Sequence, residues 1–296
     1  MDSCKSYLLS PTEEALTIEI PEFDSEHLAL IERYIKISES LQEIEQLFQL
    51  FYFNVYSFSS NCKLCPDDKV LMSRDMREAD LITVNGYFIN IISAGRVFVD
   101  RLELFLKEDL EIDRKEEFRH FYLSKVYDEK FAYRFFYGLR NICQHGHLVV
   151  SHNPFNNSFC FDLDQILKNE HISPSARYED EWSRIVNDIN EKFHSEPYLC
   201  FTHNVDEYVN ELFSTYCHFL EFVFENVESI CNRIDEIIKE NPQYISGEPF
   251  EGWVVYKCDN GNAQMFNPKE KLLEWFSNIK REANIRLEKY DAMFHS

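Results

Sequence analysis

The sequence predicts a mainly α-helical fold, a bundle of long helices with two small β-hairpin insertions. Apolar residues recur at steps of three and four over several long stretches, which is the period of one buried helix face. Two short stretches instead alternate apolar and polar residues around turn-forming residues, as β-hairpins do. With 296 residues, of which 45% are apolar and only 7 are glycine, the chain can build a large helical core.

The helices follow an extended lead-in, residues 1–23, which ends at Pro21-Glu22-Phe23. Asp24 or Ser25 can cap the first helix, because such side chains accept hydrogen bonds from the free N–H groups of a first helical turn. The steps of three and four continue so far in the fifth predicted helix that it suits a bundle spine or a dimer seam. The apolar spacing predicts helices at residues 24–58, 74–107, 113–138, 179–193, 203–240 and 269–289.

Two hairpins are predicted between these helices. The first covers residues 148–163, where Asn153-Pro154-Phe155-Asn156-Asn157 supplies the turn. The second pairs Trp253–Tyr256 with Asn262–Phe266 around Asp259-Asn260-Gly261, a sequence that favours a tight hairpin turn. The elements divide the chain into the lead-in 1–23, a helical domain 24–240 with the first hairpin, and a C-terminal region 241–296 with the second hairpin and the last helix.

The N-terminus and the cysteine pattern indicate a cytoplasmic protein without membrane contact. The first residues lack a basic flank followed by an apolar run, and charges interrupt each later hydrophobic stretch before it reaches membrane-spanning length. The nine cysteines are an odd number and are scattered without the spacing of a secreted disulfide scaffold. They are therefore expected to be reduced thiols.

The net charge of −22 repels nucleic acid at long range and excludes a general nucleic-acid coat protein. The charge is unevenly distributed, however. Residues 61–152 hold 15 acidic and 14 basic residues, almost half of the 30 basic residues in the chain. An anionic ligand is therefore expected to meet this nearly neutral segment, and an RNA substrate is expected to be a selected one.

One short stretch, Arg140-Asn141-Ile142-Cys143-Gln144-His145, gathers polar groups that suit phosphodiester chemistry. Asn141 and His145 are four residues apart, so on a helix they share one face, while Arg140 is offset by about 100° but has a long side chain. An imidazole takes or gives a proton near neutral pH, and a guanidinium stays charged and fits phosphate oxygens. Arg140, Asn141 and His145 are therefore the candidate catalytic residues.

These residues suffice for RNA cleavage, because RNA carries its own nucleophile, the 2′-hydroxyl. In this hypothesis His145 transfers protons, Arg140 stabilises the charge of the transition state, and Asn141 orients the histidine or a phosphate. No metal or other cofactor is required. Separate acid and base roles call for two histidines, so a two-fold dimer with two motifs across its seam is expected.

The stretch Phe136–His145 resembles the signature of the HEPN (higher eukaryotes and prokaryotes nucleotide-binding) ribonuclease family, which has an arginine, a polar residue and then a histidine. This resemblance implies a HEPN-like helical bundle that dimerises at the motif. It also implies RNA cleavage without metal, often by a toxin or by an effector of abortive infection or antiviral defence. A regulatory protein partner fits such systems.

Neighbouring residues extend the motif. Gln144 and His147 are candidate helpers in catalysis. Some HEPN proteins carry a modified tyrosine two places after the histidine, whereas this chain has His147 there, so that form of control is not expected. A similar spacing also occurs from Arg114 to His120 and from Arg140 to His147, but the polar residue and the hydrophobic lead-in favour the motif as given.

Simpler interpretations stay open for several of these residues. Cations are favoured at a helix C-terminus and Gly146 resembles a stop signal, so Arg140 and His145 are alternatively an ion-pair partner and a capping histidine. Cys143 is a nucleophile or, within an apolar helix, a packing residue. The Cys62-Lys63-Leu64-Cys65 stretch is half of a zinc site or a pair of ordinary loop thiols.

The sequence therefore predicts a metal-independent endoribonuclease of the HEPN type that cleaves RNA by attack of its 2′-hydroxyl. Two alternatives come from other classes. One is a non-catalytic helical interaction module, which the predicted helix 203–240 and the acidic surplus favour. The other is a module that binds RNA or a nucleotide through Arg140 without cleaving it.

Overall fold

The chain is mainly α-helical in its computed structural model, as the sequence predicts. The structure describes residues 4–6, 17–19, 22–62, 77–108, 112–156, 158–168, 176–193, 196–246, 253–257, 263–266 and 272–294. Within these ranges the α-helices are α1 (Ser25–Cys62), α2 (Arg77–Lys107), α3 (Lys115–Phe118), α4 (Lys125–Glu129), α5 (Phe131–Gln144), α6 (Leu163–Leu167), α7 (Ala176–Lys192), α8 (Phe201–Glu240) and α9 (Leu272–Phe294). The long helices begin and end within a few residues of their predicted bounds.

The prediction of a single helix over residues 113–138 is wrong. A π-helix, Arg119–Ser124, joins α3 to α4, and Lys130 then adopts an extended conformation before α5 begins. The Arg134 guanidinium stabilises the end of α4, because it donates hydrogen bonds to two carbonyl groups of the last turn, those of Tyr127 and Asp128. The apolar spacing continues across this break and therefore conceals it.

Both predicted hairpins are confirmed. Strands β3 (Val150–His152) and β4 (Phe159–Asp162) pair antiparallel, and so do β6 (Val254–Lys257) and β7 (Ala263–Phe266). The first hairpin gains a strand that the sequence did not predict, β5 (Tyr198–Cys200), which pairs antiparallel with β4. In the lead-in, β1 (Cys4–Ser6) pairs antiparallel with β2 (Thr17–Glu19).

The chain divides into two compact units that are interleaved in sequence. The predicted boundaries at residues 23 and 240 stay predictions. The first unit consists of residues Met1–Leu41, Asp109–Asp113 and Leu220–Arg281, and the second of Gln42–Glu108, Arg114–Phe219 and Glu282–Ser296. The motif and its helix, α5, lie in the second unit.

In the first unit, the Tyr244 side chain joins the start of α1 to the segment after α8. Its ring stacks on Phe23, with the ring centroids 4.2 Å apart, and its hydroxyl oxygen accepts a hydrogen bond from the backbone N–H of Asp24. The β6–β7 hairpin is anchored nearby, because Ser246 donates its N–H to the Trp253 carbonyl at 2.7 Å.

The second unit is built around buried aromatic rings, which bury large apolar areas and pack edge to face. One cluster centres on Phe88, which lies 5.0 Å from Phe136 and 5.3 Å from Phe161 between ring centroids. It joins α2, α5 and β4. A second cluster centres on Phe48, whose ring stacks on Tyr216 with the centroids 3.9 Å apart. The motif helix α5 is therefore held by the core on its apolar side.

One stretch of the described residues, Asp80–Lys107 within α2, is long and apolar enough by length and composition to cross a membrane. The sequence-based expectation that charges interrupt every such stretch does not hold for it. Half of its most apolar 18-residue segment is buried inside the protein. The core helices of soluble proteins meet the same criterion of length and composition. The cytoplasmic location stays a prediction.

Candidate functional site

The motif occupies the C-terminal end of α5, and the chain leaves this helix through Gly146. His145 is the C-cap residue, with its N–H directed to the carbonyl groups of Asn141 and Ile142 at 3.2 Å. Gly146, at a φ of 87°, then donates to Cys143, and His147 donates to Ile142. These bonds form a Schellman motif, which favours glycine because other residues are strained at positive φ. The predicted stop signal is therefore confirmed.

Two contacts hold α5 against α7. Gly138 lets the helices approach closely, because a methyl group at this position would lie 2.6 Å from Ile185 Cδ1 and 3.0 Å from Trp182 Cζ3. Arg134, which is almost fully buried, forms an ion pair through Nη2 with Asp188 Oδ2 at 2.5 Å. Both contacts fix the rotation of α5, and with it the direction in which each motif side chain points.

Asn85 of α2 fixes the segment that follows the motif. This side chain is fully buried, and its Oδ1 accepts hydrogen bonds from the N–H groups of Val149 and Val150 at 3.1 and 3.0 Å. Its Nδ2 donates to the carbonyl groups of Val150 and Leu81 at 3.0 and 2.9 Å. The amide thus uses both of its ends to pair with backbone, as a neighbouring strand would.

The five predicted site residues differ in exposure. Arg140, Asn141 and His147 are half-buried, whereas Gln144 and His145 are exposed. No hydrogen bond joins the side chains of Arg140 and His145 in the described part of the chain. The structure therefore does not bring the Arg140 and His145 side chains into direct contact by a hydrogen bond.

Arg140 faces α2 and α8. Its side chain lines a small cavity of about 10 Å³ together with Arg96, Tyr137 and Tyr208. Within the described residues its Nε atom is buried and makes no hydrogen bond with the protein, and no ion pair reaches its guanidinium. Burial raises the pKa of the Tyr208 hydroxyl well above its usual range, while the charges of Arg96 and Arg140 oppose that rise. Among the described residues, no carboxylate therefore neutralises the charge of Arg140.

A larger cavity of about 310 Å³ adjoins this small one and shares Arg96, Val99, Tyr133 and Tyr137 with it. It is called the tyrosine–arginine cavity below. The π-helix contributes to its wall, and such irregular turns occur frequently at functional sites. This cavity was not predicted from the sequence. The spacing of Tyr133, Tyr137 and Arg140 on one helical face was the signal that could have found it.

Cys143 behaves as a packing residue. Burial raises the pKa of its thiol to about 12, so the nucleophilic thiolate is scarce at neutral pH. This burial favours the packing interpretation over the nucleophile. Cys62 ends α1, and the rest of its CxxC stretch lies outside the described residues. Among those that are described, no group of three His, Cys, Asp or Glu side chains could hold a metal ion.

The raised pKa of Cys143 predicts slow alkylation. At pH 8 we expect iodoacetamide to modify Cys143 about a thousandfold more slowly in the folded protein than in urea, because the thiolate fraction falls tenfold per pKa unit. Peptide mass spectrometry over time measures both rates. The folded state holds this proton more tightly, so its stabilising contribution is complete below pH 9.0 and is lost as pH rises towards 12. Equal rates in the two states would contradict the assignment.

Comparisons with known proteins give no match. No protein-family model, no curated protein and no solved structure matches the chain. The interpretation of the site therefore depends on its residues, their exposure and their contacts.

Proposed function

We propose that this protein is a metal-independent endoribonuclease of the HEPN type. The observation that supports this proposal is the end of α5, where an exposed imidazole, His145, follows a cation, Arg140, that no protein carboxylate neutralises in the described part of the chain. A mobile proton carrier and an available positive charge are the two groups that the reaction requires. The mainly helical fold agrees in kind with a HEPN bundle.

The proposed reaction needs no external nucleophile. The 2′-oxygen of one ribose attacks the adjacent phosphorus as its proton passes to one histidine. The bond from phosphorus to the 5′-oxygen of the next nucleotide breaks, and that oxygen takes a proton from a second histidine. Arg140 stabilises the additional negative charge on the phosphate oxygens, and Asn141 orients the phosphate or the histidine. The products carry a 2′,3′-cyclic phosphate and a 5′-hydroxyl.

The direct test is RNA cleavage by the purified full chain in the presence of EDTA. We expect the wild type to cleave, and Arg140→Ala and His145→Ala to lose this activity while remaining folded. Equal activity in all three proteins, or a wild-type activity that EDTA abolishes, would contradict the proposal. As a toxin or an antiviral effector, the wild type should also slow the growth of expressing cells, and both variants should relieve that effect.

The second histidine is supplied, in this proposal, by a homodimer. We therefore expect excess His145→Ala protein to inhibit the wild type, because mixed dimers hold only one intact imidazole. Cleavage is measured at a fixed wild-type concentration with increasing amounts of variant after the subunits have exchanged. As a control, the same excess of albumin should have no effect. A cleavage rate that does not change with added variant would contradict a site shared between subunits.

A second candidate function is binding of RNA or a nucleotide without cleavage. The orientation of Arg140 favours it, because this side chain lines the small cavity with Tyr137 and Tyr208 and makes no hydrogen bond to His145. Binding that survives His145→Ala but not Arg140→Ala, in a protein without cleavage activity, would support this second candidate.

A further inference from the structure

The tyrosine–arginine cavity has the size and lining of a small-molecule site. Its volume of about 310 Å³ is at the lower end of the range for ligand pockets, which suits a single nucleotide. Its lining includes two arginines, two carboxylates and three tyrosines, and the residues that matter most for binding are Arg96, Arg119, Glu103, Asp128, Tyr127 and Tyr137. Four charged side chains thus line this cavity alongside the apolar Val99 and Leu123.

Neighbouring residues hold the groups of this cavity in place. The guanidinium of Arg96 lies over the Tyr137 ring, 4.4 Å from its centroid, and pairs with Asp100 at 2.6 Å. The Tyr127 and Tyr137 rings meet edge to face, with their centroids 5.8 Å apart. Aromatic rings of this kind stack on nucleobases. The cavity therefore offers an ordered aromatic surface on which a nucleobase can stack.

The charged groups indicate which base fits. An arginine fork binds the paired acceptors O6 and N7 of guanine, and a carboxylate accepts hydrogen bonds from the adjacent N1–H and N2–H₂ donors on its other edge. Adenine, cytosine and uracil do not present both pairs. Arg96 is the more enclosed arginine of the cavity. Glu103 is the carboxylate that suits the base, because Asp128 Oδ1 already pairs with Arg184 Nη2 at 2.7 Å. Arg119, whose side chain is 47% exposed, is suited to a phosphate.

We propose that the tyrosine–arginine cavity binds a guanine nucleotide. The cavity shares Arg96 and Tyr137 with the small cavity around Arg140. Since Tyr137 and His145 are eight residues apart, about 12 Å along α5, the bound guanine belongs to a nucleotide close to the scissile phosphate. This placement rests on the proposed function, whereas the binding of a guanine nucleotide does not.

The first test is calorimetric titration of the full chain with GMP, AMP, CMP and UMP. We expect GMP to bind at least about tenfold more tightly than the other three nucleotides. Glu103→Gln is expected to remove this preference, while Glu191→Gln, at an exposed acid outside the cavity, keeps it. No binding of any nucleotide at millimolar concentration, or equal binding of all four, would overturn the proposal.

Arg119 has a closely matched control in Arg114. Both side chains are largely exposed, at 47% and 63%, and both pair with a glutamate three residues away, but only Arg119 lines the cavity. We expect Arg119→Gln to weaken all four nucleotides about equally through the lost phosphate contact and Arg114→Gln to leave them unchanged. Equal weakening by both variants would show a general charge effect and contradict the site.

A second experiment distinguishes the two possible sources of the guanine, a free nucleotide and RNA. Oligoribonucleotides that contain one guanosine are expected to be cut next to it, and GMP is expected to inhibit this cleavage. GMP binding by His145→Ala should equal that of the wild type. If GMP binds but no RNA is cut, the proposed function fails and the cavity site stands. If RNA is cut without regard to guanosine and GMP does not bind, the cavity site fails and the function stands.

Discussion

Replacing His145 with alanine is expected to lower kcat/KM for RNA cleavage by about 10²- to 10⁴-fold. The imidazole is exposed at the end of α5 and is the proton-transfer group of the proposed reaction. Its loss removes both the acid and the base from a symmetric dimer. Initial rates on a short fluorescent RNA in EDTA measure the effect, and urea unfolding shows whether the variant keeps its stability.

The matched control is His203→Ala, which removes an exposed histidine of α8 outside the motif. This variant is expected to cleave RNA at the wild-type rate. Gln144→Ala and His147→Ala, which alter the candidate helpers, are expected to lose less activity than His145→Ala. A His145→Ala protein that cleaves within twofold of the His203→Ala control would exclude His145 from proton transfer.

Replacing Asn85 with alanine is expected to lower the free energy of unfolding by about 3 kcal/mol or more. The substitution deprives the buried N–H groups of Val149 and Val150 of their acceptor, and the Val150 carbonyl of a donor. Buried backbone groups without partners cost free energy because water cannot reach them. Urea unfolding followed by circular dichroism measures the difference from the wild type.

Asn54→Ala provides the control for this substitution. Asn54 of α1 donates a hydrogen bond to the carbonyl of Leu50, four residues earlier, just as Asn85 does to Leu81. Its Nδ2 bond is confined to its own helix, so we expect a change of less than about 1 kcal/mol. Equal losses of stability in the two variants would mean that the bonds to Val149 and Val150 contribute little.

The helices and hairpins were predictable because their signals are local. Apolar steps of three and four mark α1, α2 and α8, and an Asp-Asn-Gly turn marks the β6–β7 hairpin. Gly146 likewise marks the end of α5. Each of these signals depends on residues within one or two turns of each other, so no knowledge of distant contacts is needed.

Other features depend on residues that are distant in sequence. Strand β5 pairs with β4, although α6 and α7 lie between them in the sequence. Because β5 is only three residues long, it is too short to show the alternating pattern of a strand. The rotation of α5 depends on Gly138 and Arg134 contacting α7. The motif spacing therefore identified Arg140 and His145 as candidates but did not indicate that Arg140 faces a cavity formed with α2 and α8.

Attack by the 2′-hydroxyl is the central claim, and one substrate tests it most directly. An oligoribonucleotide with a single deoxyribose on the 5′ side of the preferred cleavage site is compared with its all-ribose counterpart in EDTA, and the product ends are identified by mass spectrometry. We predict that the all-ribose strand yields 2′,3′-cyclic phosphate and 5′-hydroxyl ends and that the deoxyribose blocks cleavage at that site. Cleavage at the deoxyribose, or products with 5′-phosphate and 3′-hydroxyl ends, would contradict the proposed reaction.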